Sequence, residues 1–152
     1  MLSIDEVPFG WNRLGGNFPV EPGAIISHAT SFSPYEKPPF GINISHTITI
    51  YPDIDTATEM YPEWEQRYFT QAWQSVQDSN FSPANLDDVF RFEYWDVQIE
   101  EAPVRSYRYL LQFGNIIILI ITKVDNKNLT FPQFEEILSK LDAKLQNYQS
   151  LP

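Results

Sequence analysis

The chain has two histidines, His28 and His46, and their spacing gives the first chemistry to consider. If Ala24 to Thr30 and Ile42 to Tyr51 pair as strands across the intervening Pro-rich stretch, a register centred near Lys37 sets His28 opposite His46. Directly opposed residues have Cβ atoms about 4.5–5.5 Å apart. Two imidazoles at that distance could share a metal, with a carboxylate or water completing its coordination. His28 and His46 are therefore the candidate metal ligands. A one-residue slip would send the two rings to opposite faces. His46 also sits among isoleucines, the setting of a hydrogen-bonded core histidine.

Carboxylates offer less. Asp53, Asp55, Glu59 and Glu63 cluster where a helix should begin, and Asp87-Asp88 and Glu100-Glu101 lie elsewhere. Asp53-Ile54-Asp55-Thr56 lacks the glycine and distal glutamate of a calcium-binding helix-loop-helix. Acids at a helix start are also what the helix dipole favours. No spacing selects a glycosidase-type carboxylate pair, so a carboxylate hydrolase is the least supported reading. There is no Gly-x-Ser-x-Gly nucleophile elbow. Gly10 to Gly16 lacks the Gly-Lys-Ser/Thr ending of a phosphate loop. The absence of cysteine excludes thiol catalysis, disulfides and cysteine-based zinc sites.

Aromatic residues are the remaining candidates. Trp64, Tyr68, Trp73, Phe90, Phe92, Tyr94, Trp95, Tyr107 and Tyr109 have the character either of a pocket lining or of a core built from large rings. Phe90, Phe92 and Tyr94 share one strand face, opposed by Arg91 and Glu93. Phe69 and Trp73 fall off the main apolar stripe of their helix, which makes them the candidate partner-binding residues.

Composition narrows the partners. A net charge of −10 argues against nucleic acid, whose binding rests on Lys and Arg, and against anionic membrane surfaces. No apolar run approaches the roughly 18 residues of a membrane span. Met1 to Glu6 has neither a basic n-region nor an apolar h-region, so no signal peptide is expected here. Leu2 to Trp11 looks like the interior of a chain, as in the mature part of an exported protein. Acidic, cysteine-free composition fits an extracytoplasmic setting, and a cytoplasmic one too.

These residues must be positioned by a small set of elements in one domain of 152 residues. Residues 1–23 read as an irregular arm anchored by Phe9, Trp11 and Phe18. Ala24 to Thr30 is a strand, Ser31 to Gly41 a Pro-rich loop, and Ile42 to Tyr51 a half-buried alternating strand. Asp55 or Thr56 caps a helix from near Ala57, whose apolar spacing continues to Val76 despite Pro62. Val89 to Ile99 and Val104 to Gln112 are strands, and Gly114-Asn115 is a hairpin turn. Ile116 to Ile121 does not alternate, so that strand is expected to be covered on both faces. Thr130-Phe131-Pro132-Gln133 is a capping box opening the last helix. The order is β-β-α-β-β-β-α, hairpin-connected: an α+β fold with a mainly antiparallel sheet of five or more strands between helices.

The opening Asp5 to Trp11, the strand ending Ile50-Tyr51, the helix start Thr56-Ala57, the hairpin through Phe113-Gly114-Asn115 and the C-terminal helix together resemble the PsbP/Mog-like domains. That family includes photosystem II extrinsic proteins, a Ran-binding nuclear transport protein, and bacterial exported or lipoprotein domains. The similarity spans most of the chain, and no matching motif is catalytic. It implies an α/β/α sandwich and a non-enzymatic binding or assembly role through a protein partner, with no cofactor. The competing expectation is a small-ligand or metal-binding module using His28 and His46 or an aromatic pocket.

Overall fold

The structure is a computed structural model that describes residues 2–7, 10–15, 20–34, 43–69, 74–77, 79–83, 89–99, 102–124 and 129–149. A short 3-10 turn at Ile4–Glu6 precedes β1 (Trp11–Gly15), β2 (Ile26–Pro34) and β3 (Ile44–Ile50). Helix α1 (Ile54–Tyr68) follows, then β4 (Gln74–Ser75), β5 (Val89–Ile99), β6 (Ala102–Phe113), β7 (Ile116–Val124) and helix α2 (Phe131–Gln149). The strands form one sheet of order β1-β2-β3-β7-β6-β5-β4, and every pairing is antiparallel. Three strands are laid down from one edge. The chain then passes through α1 to the other edge, and hairpins bring it back to insert β7 in the middle.

The central place of β7 explains its composition. Side chains alternate between the faces of a strand, and both faces of β7 are covered. Ile116, Ile118, Ile120 and Val124 join a core with Phe134, Ile137, Leu138 and Leu141 of α2. Ile117 and Leu119 join a second core with Ala57, Tyr61 and Trp64 of α1. The adjacent β6 divides in the same way, with Tyr107, Tyr109 and Leu111 in the first cluster and Leu110 in the second. Ile117, Ile118 and Ile120 are fully buried.

Local chemistry sets the boundaries. Asp53 caps α1, its Oδ1 accepting the Thr56 backbone N–H at 2.7 Å and the Thr56 hydroxyl at 2.6 Å. The cap is thus earlier than Asp55 or Thr56, because an extended Asp53 three residues before a free N–H is the better acceptor. Pro62 lies inside the helix. At α2 the Thr130 N–H donates to Gln133 Oε1 at 2.8 Å, and the Gln133 N–H donates to Thr130 Oγ1 at 3.4 Å. Gly114 turns the β6–β7 hairpin with φ of 56°.

Three expectations are corrected. Residues 1–23 are not wholly irregular, since Trp11–Gly15 pairs with β2 and Trp11 is buried; Phe9 and Phe18 lie outside the described residues. Strand β2 continues through Phe32 to Pro34, because Phe32 is a core residue facing Ile44 and Pro34 sits at the strand end, where its missing N–H is tolerated. The first helix stops at Tyr68, and the residues around Val76 instead form the short strand β4 against Glu93 and Tyr94. Tertiary pairing overrides helical spacing there.

Candidate functional site

The β2–β3 register sets Thr30 opposite His46 and His28 opposite Ile48. The expected face-to-face histidine pair is therefore displaced by two residues, which leaves both rings on one face but diagonal to each other. His28 Nε2 lies 3.1 Å from Thr30 Oγ1. His46 is buried, and its Nδ1 accepts the Leu2 backbone N–H at 3.3 Å, which assigns the ring proton to Nε2. Among the described residues that Nε2 has no hydrogen-bond partner. Burial pushes the His46 pKa down to about 3, so the ring is neutral at ordinary pH. Among the described residues no three His, Asp or Glu side chains gather into a group able to hold a metal ion.

Phe69 follows α1 and is buried in that helix's own core cluster rather than on an outer face. The Arg91 guanidinium lies over its ring, 4.7 Å from the centroid. Trp73, the other candidate partner-binding residue, lies outside the described residues. So do Asp87-Asp88 and Glu100-Glu101.

The aromatic residues divide between core and pocket. Phe92 packs against Tyr107, Tyr109 and Phe134, and Tyr107 against Phe134, at ring-centroid distances of 5.8–5.9 Å. Tyr94, Tyr107 and Phe131 line a cavity of about 570 Å³ beside the start of α2. Ser75, Val76, Gln77, Val104 and Val124 also line it. A smaller depression of about 320 Å³, lined by Phe81, Phe90 and Phe92, shares Ser75 and Val76 with it.

The β5–β6 register builds the cavity's polar centre. Tyr94 pairs with Tyr107, and Asp96 with Arg105, so all four side chains share one face. Arg105 donates from Nε to Asp96 Oδ1 at 2.6 Å and from Nη2 to Oδ2 at 2.8 Å, a bidentate pair. Its guanidinium lies over the Tyr94 ring at 4.1 Å from the centroid. Tyr94 in turn donates its hydroxyl proton to Gln74 Oε1 at 2.9 Å. On the same face Tyr107, its ring centroid 6.3 Å from that of Tyr94, stacks on Phe131 at 4.8 Å with 16° between planes. The hydrogen bonds from Arg105 hold Asp96 below the usual carboxylate range, and Asp96 holds Arg105 above its own. Both are fully charged near neutral pH. Arg105 and Asp96 are 44% and 60% exposed, so the pair stands at the mouth, accessible to an incoming molecule.

The sequence reading named Tyr94 and Tyr107 but missed the Asp96–Arg105 pair. The signal was present: a hairpin that pairs Ile99 with Ala102 sets residue 96 opposite residue 105, and their charges are opposite. No family model matches the chain, and neither a curated protein nor a solved structure matches it.

Proposed function

We propose that this chain is a non-enzymatic binding and assembly domain, acting outside the cytoplasm through a protein partner that engages the cavity between β5, β6 and the start of α2. The observation that carries the reading is the polar centre of that cavity. Asp96 and Arg105 are committed to each other as a bidentate pair, with their pKa values pushed apart. A general acid or base works best with a pKa near the operating pH. This pair is instead a fixed recognition element flanked by aromatic surface, the composition enriched at binding interfaces. The two core clusters, one with each helix, support a three-layer α/β/α sandwich of the PsbP/Mog-like kind. The acidic, cysteine-free composition is compatible with the extracytoplasmic placement. Among the described residues no helix is long and apolar enough to cross a membrane.

The test is capture of a partner from the native host by the purified chain, by Arg105→Gln and by Tyr94→Ala. Retention by the parent and loss in both variants at unchanged melting temperature is the expected result. Equal capture by all three, or turnover of a substrate by the purified chain, would contradict the proposal.

A second reading, a small-ligand module, is favoured by the cavity volume, which lies within the roughly 300–1,000 Å³ of small-molecule sites. It is separated from the first by thermal unfolding against metabolites and divalent metals. A ligand at about 100 times its Kd stabilises by about 2.7 kcal/mol.

A further inference from the structure

We propose that residues 2–7 form a releasable strap over His46, held to α2 by one ionic latch, Glu6–Lys144, and that opening the latch frees the strap while the sheet stays folded. The inference is independent of the cavity beside β5 and β6.

The strap bridges the sheet and the helix. On the sheet side, the Leu2 N–H donates to His46 Nδ1 at 3.3 Å, and Leu2 and Val7 are buried in the core cluster that holds Trp11, Phe32 and Ile44. On the helix side, Glu6 Oε2 accepts from Lys144 Nζ at 2.6 Å. Among the described residues none of 2–7 enters a strand pairing, so the strap lacks the ladder that ties β1 to β2. Its backbone bonds to itself instead, the Glu6 N–H donating to the Ser3 carbonyl at 3.1 Å.

One oxygen serves both the turn and the tether. Glu6 Oε2 also accepts the Ser3 N–H at 2.7 Å and the Ser3 hydroxyl at 3.1 Å, which closes the turn. Loss of that single charge therefore weakens the strap's own shape and its hold on α2 together, and residues 2–7 let go as a unit. Burial opposes ionisation of Glu6, but the bonds from Lys144 and Ser3 outweigh it and hold the carboxyl below its ordinary range. The latch is thus closed near neutral pH. Lys144 is 42% exposed, so the pair can be opened from solvent without disturbing the core. The seam with α2 is incompletely filled: a cleft of about 90 Å³ is lined by Glu6, Val7, Gln133, Glu136, Ile137 and Lys140. Glu136 and Lys140 bond to each other at 2.8 Å and do not duplicate the latch.

Release changes what the β1–β3 side of the sheet presents. His46, 1% exposed under the strap, loses the donor on Nδ1 and meets water. A neutral imidazole with a free ring nitrogen then stands among the apolar side chains that Leu2 and Val7 had joined. The strap is in this sense a gate over a second surface.

The test uses the full chain at pH 7, with Glu6→Gln and Lys144→Gln beside it. Diethyl pyrocarbonate acylates accessible neutral imidazoles, and the chain has two histidines, so peptide mass mapping reads His46 against His28 as an internal reference. Hydrogen exchange of Ile116–Val124 is followed in the same samples as the measure of a folded sheet. The expected result is His46 modified about tenfold faster relative to His28 in both variants than in the parent, with exchange in Ile116–Val124 unchanged. Equal protection of His46 in all three chains would overturn the inference. So would exposure of His46 only where Ile116–Val124 also exchanges faster, since the strap would then open only with the whole fold.

Discussion

His46 shows how one buried group couples the fold to pH. Its folded pKa, about 3, is lower than the ordinary histidine value of 6.5, because a charged imidazole is poorly solvated in the core. Above pH 6.5 the ring is neutral whether the chain is folded or not, and it contributes no pH dependence. Between pH 6.5 and 3 the unfolded chain binds a proton that the folded chain refuses, so stability falls as the pH falls. The slope from this group is about 1.4 kcal/mol per pH unit at most. Urea unfolding at pH 7, 6 and 5 should show that slope in the parent and its loss in His46→Gln. Equal slopes in both would show that His46 is protonated without cost. The Asp96–Arg105 pair behaves oppositely in stability terms. Exposed ion pairs contribute roughly 0–1 kcal/mol, so Asp96→Asn should leave the denaturation midpoint nearly unchanged while changing what the cavity binds. A large loss of stability would mean that the pair is structural. At this scale the sequence was only half legible. The residue types of both sites were visible, but a two-residue difference in register decided that His28 faces Ile48 rather than His46.

Elements were more legible than contacts, for physical reasons that differ from one to the next. The α2 capping box and the Gly114-Asn115 turn are local chemistry, readable from neighbours in sequence, and both occur as expected. Strand β1 was not readable, because Trp11–Gly15 is short and its leucine, Leu14, is 47% exposed; its pairing comes from the edge of β2. The end of α1 was hidden likewise, since apolar spacing persisted past Tyr68 while Gln74–Ser75 pair with β5. Two substitutions probe the local devices. Asp53→Ala removes the side-chain acceptor of the α1 cap and should cost about 1 kcal/mol in chemical denaturation. Gly114→Ala meets open space, yet its φ of 56° is left-handed, so a cost of about 1 kcal/mol should come from the backbone alone. A neutral Gly114→Ala would mean that the hairpin relaxes to another turn.

At the scale of the whole molecule, the non-alternating run Ile116 to Ile121 was the most reliable statement in the sequence. It demanded cover on both faces, and β7 lies fourth of seven strands with a separate core cluster on each face. Ile118→Ala, at a fully buried site facing α2, should therefore cost about 2–5 kcal/mol. A much smaller loss would imply a core that collapses around the missing atoms. The same architecture places the cavity. The β5–β6 hairpin runs toward one side of the sheet, β4 is only two residues long there, and the start of α2 meets it at Phe131. The opposite edge also exposes apolar residues, Leu14 and Ile26 on β1 and β2, as β5 does at Val89, Phe90 and Trp95. These two surfaces make competing claims to be where the molecule binds. Hydrogen–deuterium exchange of the full chain, alone and saturated with the captured partner, decides between them. The account predicts slowed exchange in peptides covering Gln74–Gln77, Tyr94–Tyr107 and the first turn of α2. Protection confined to Trp11–Pro34, with the β5–β6 hairpin unchanged, would contradict it.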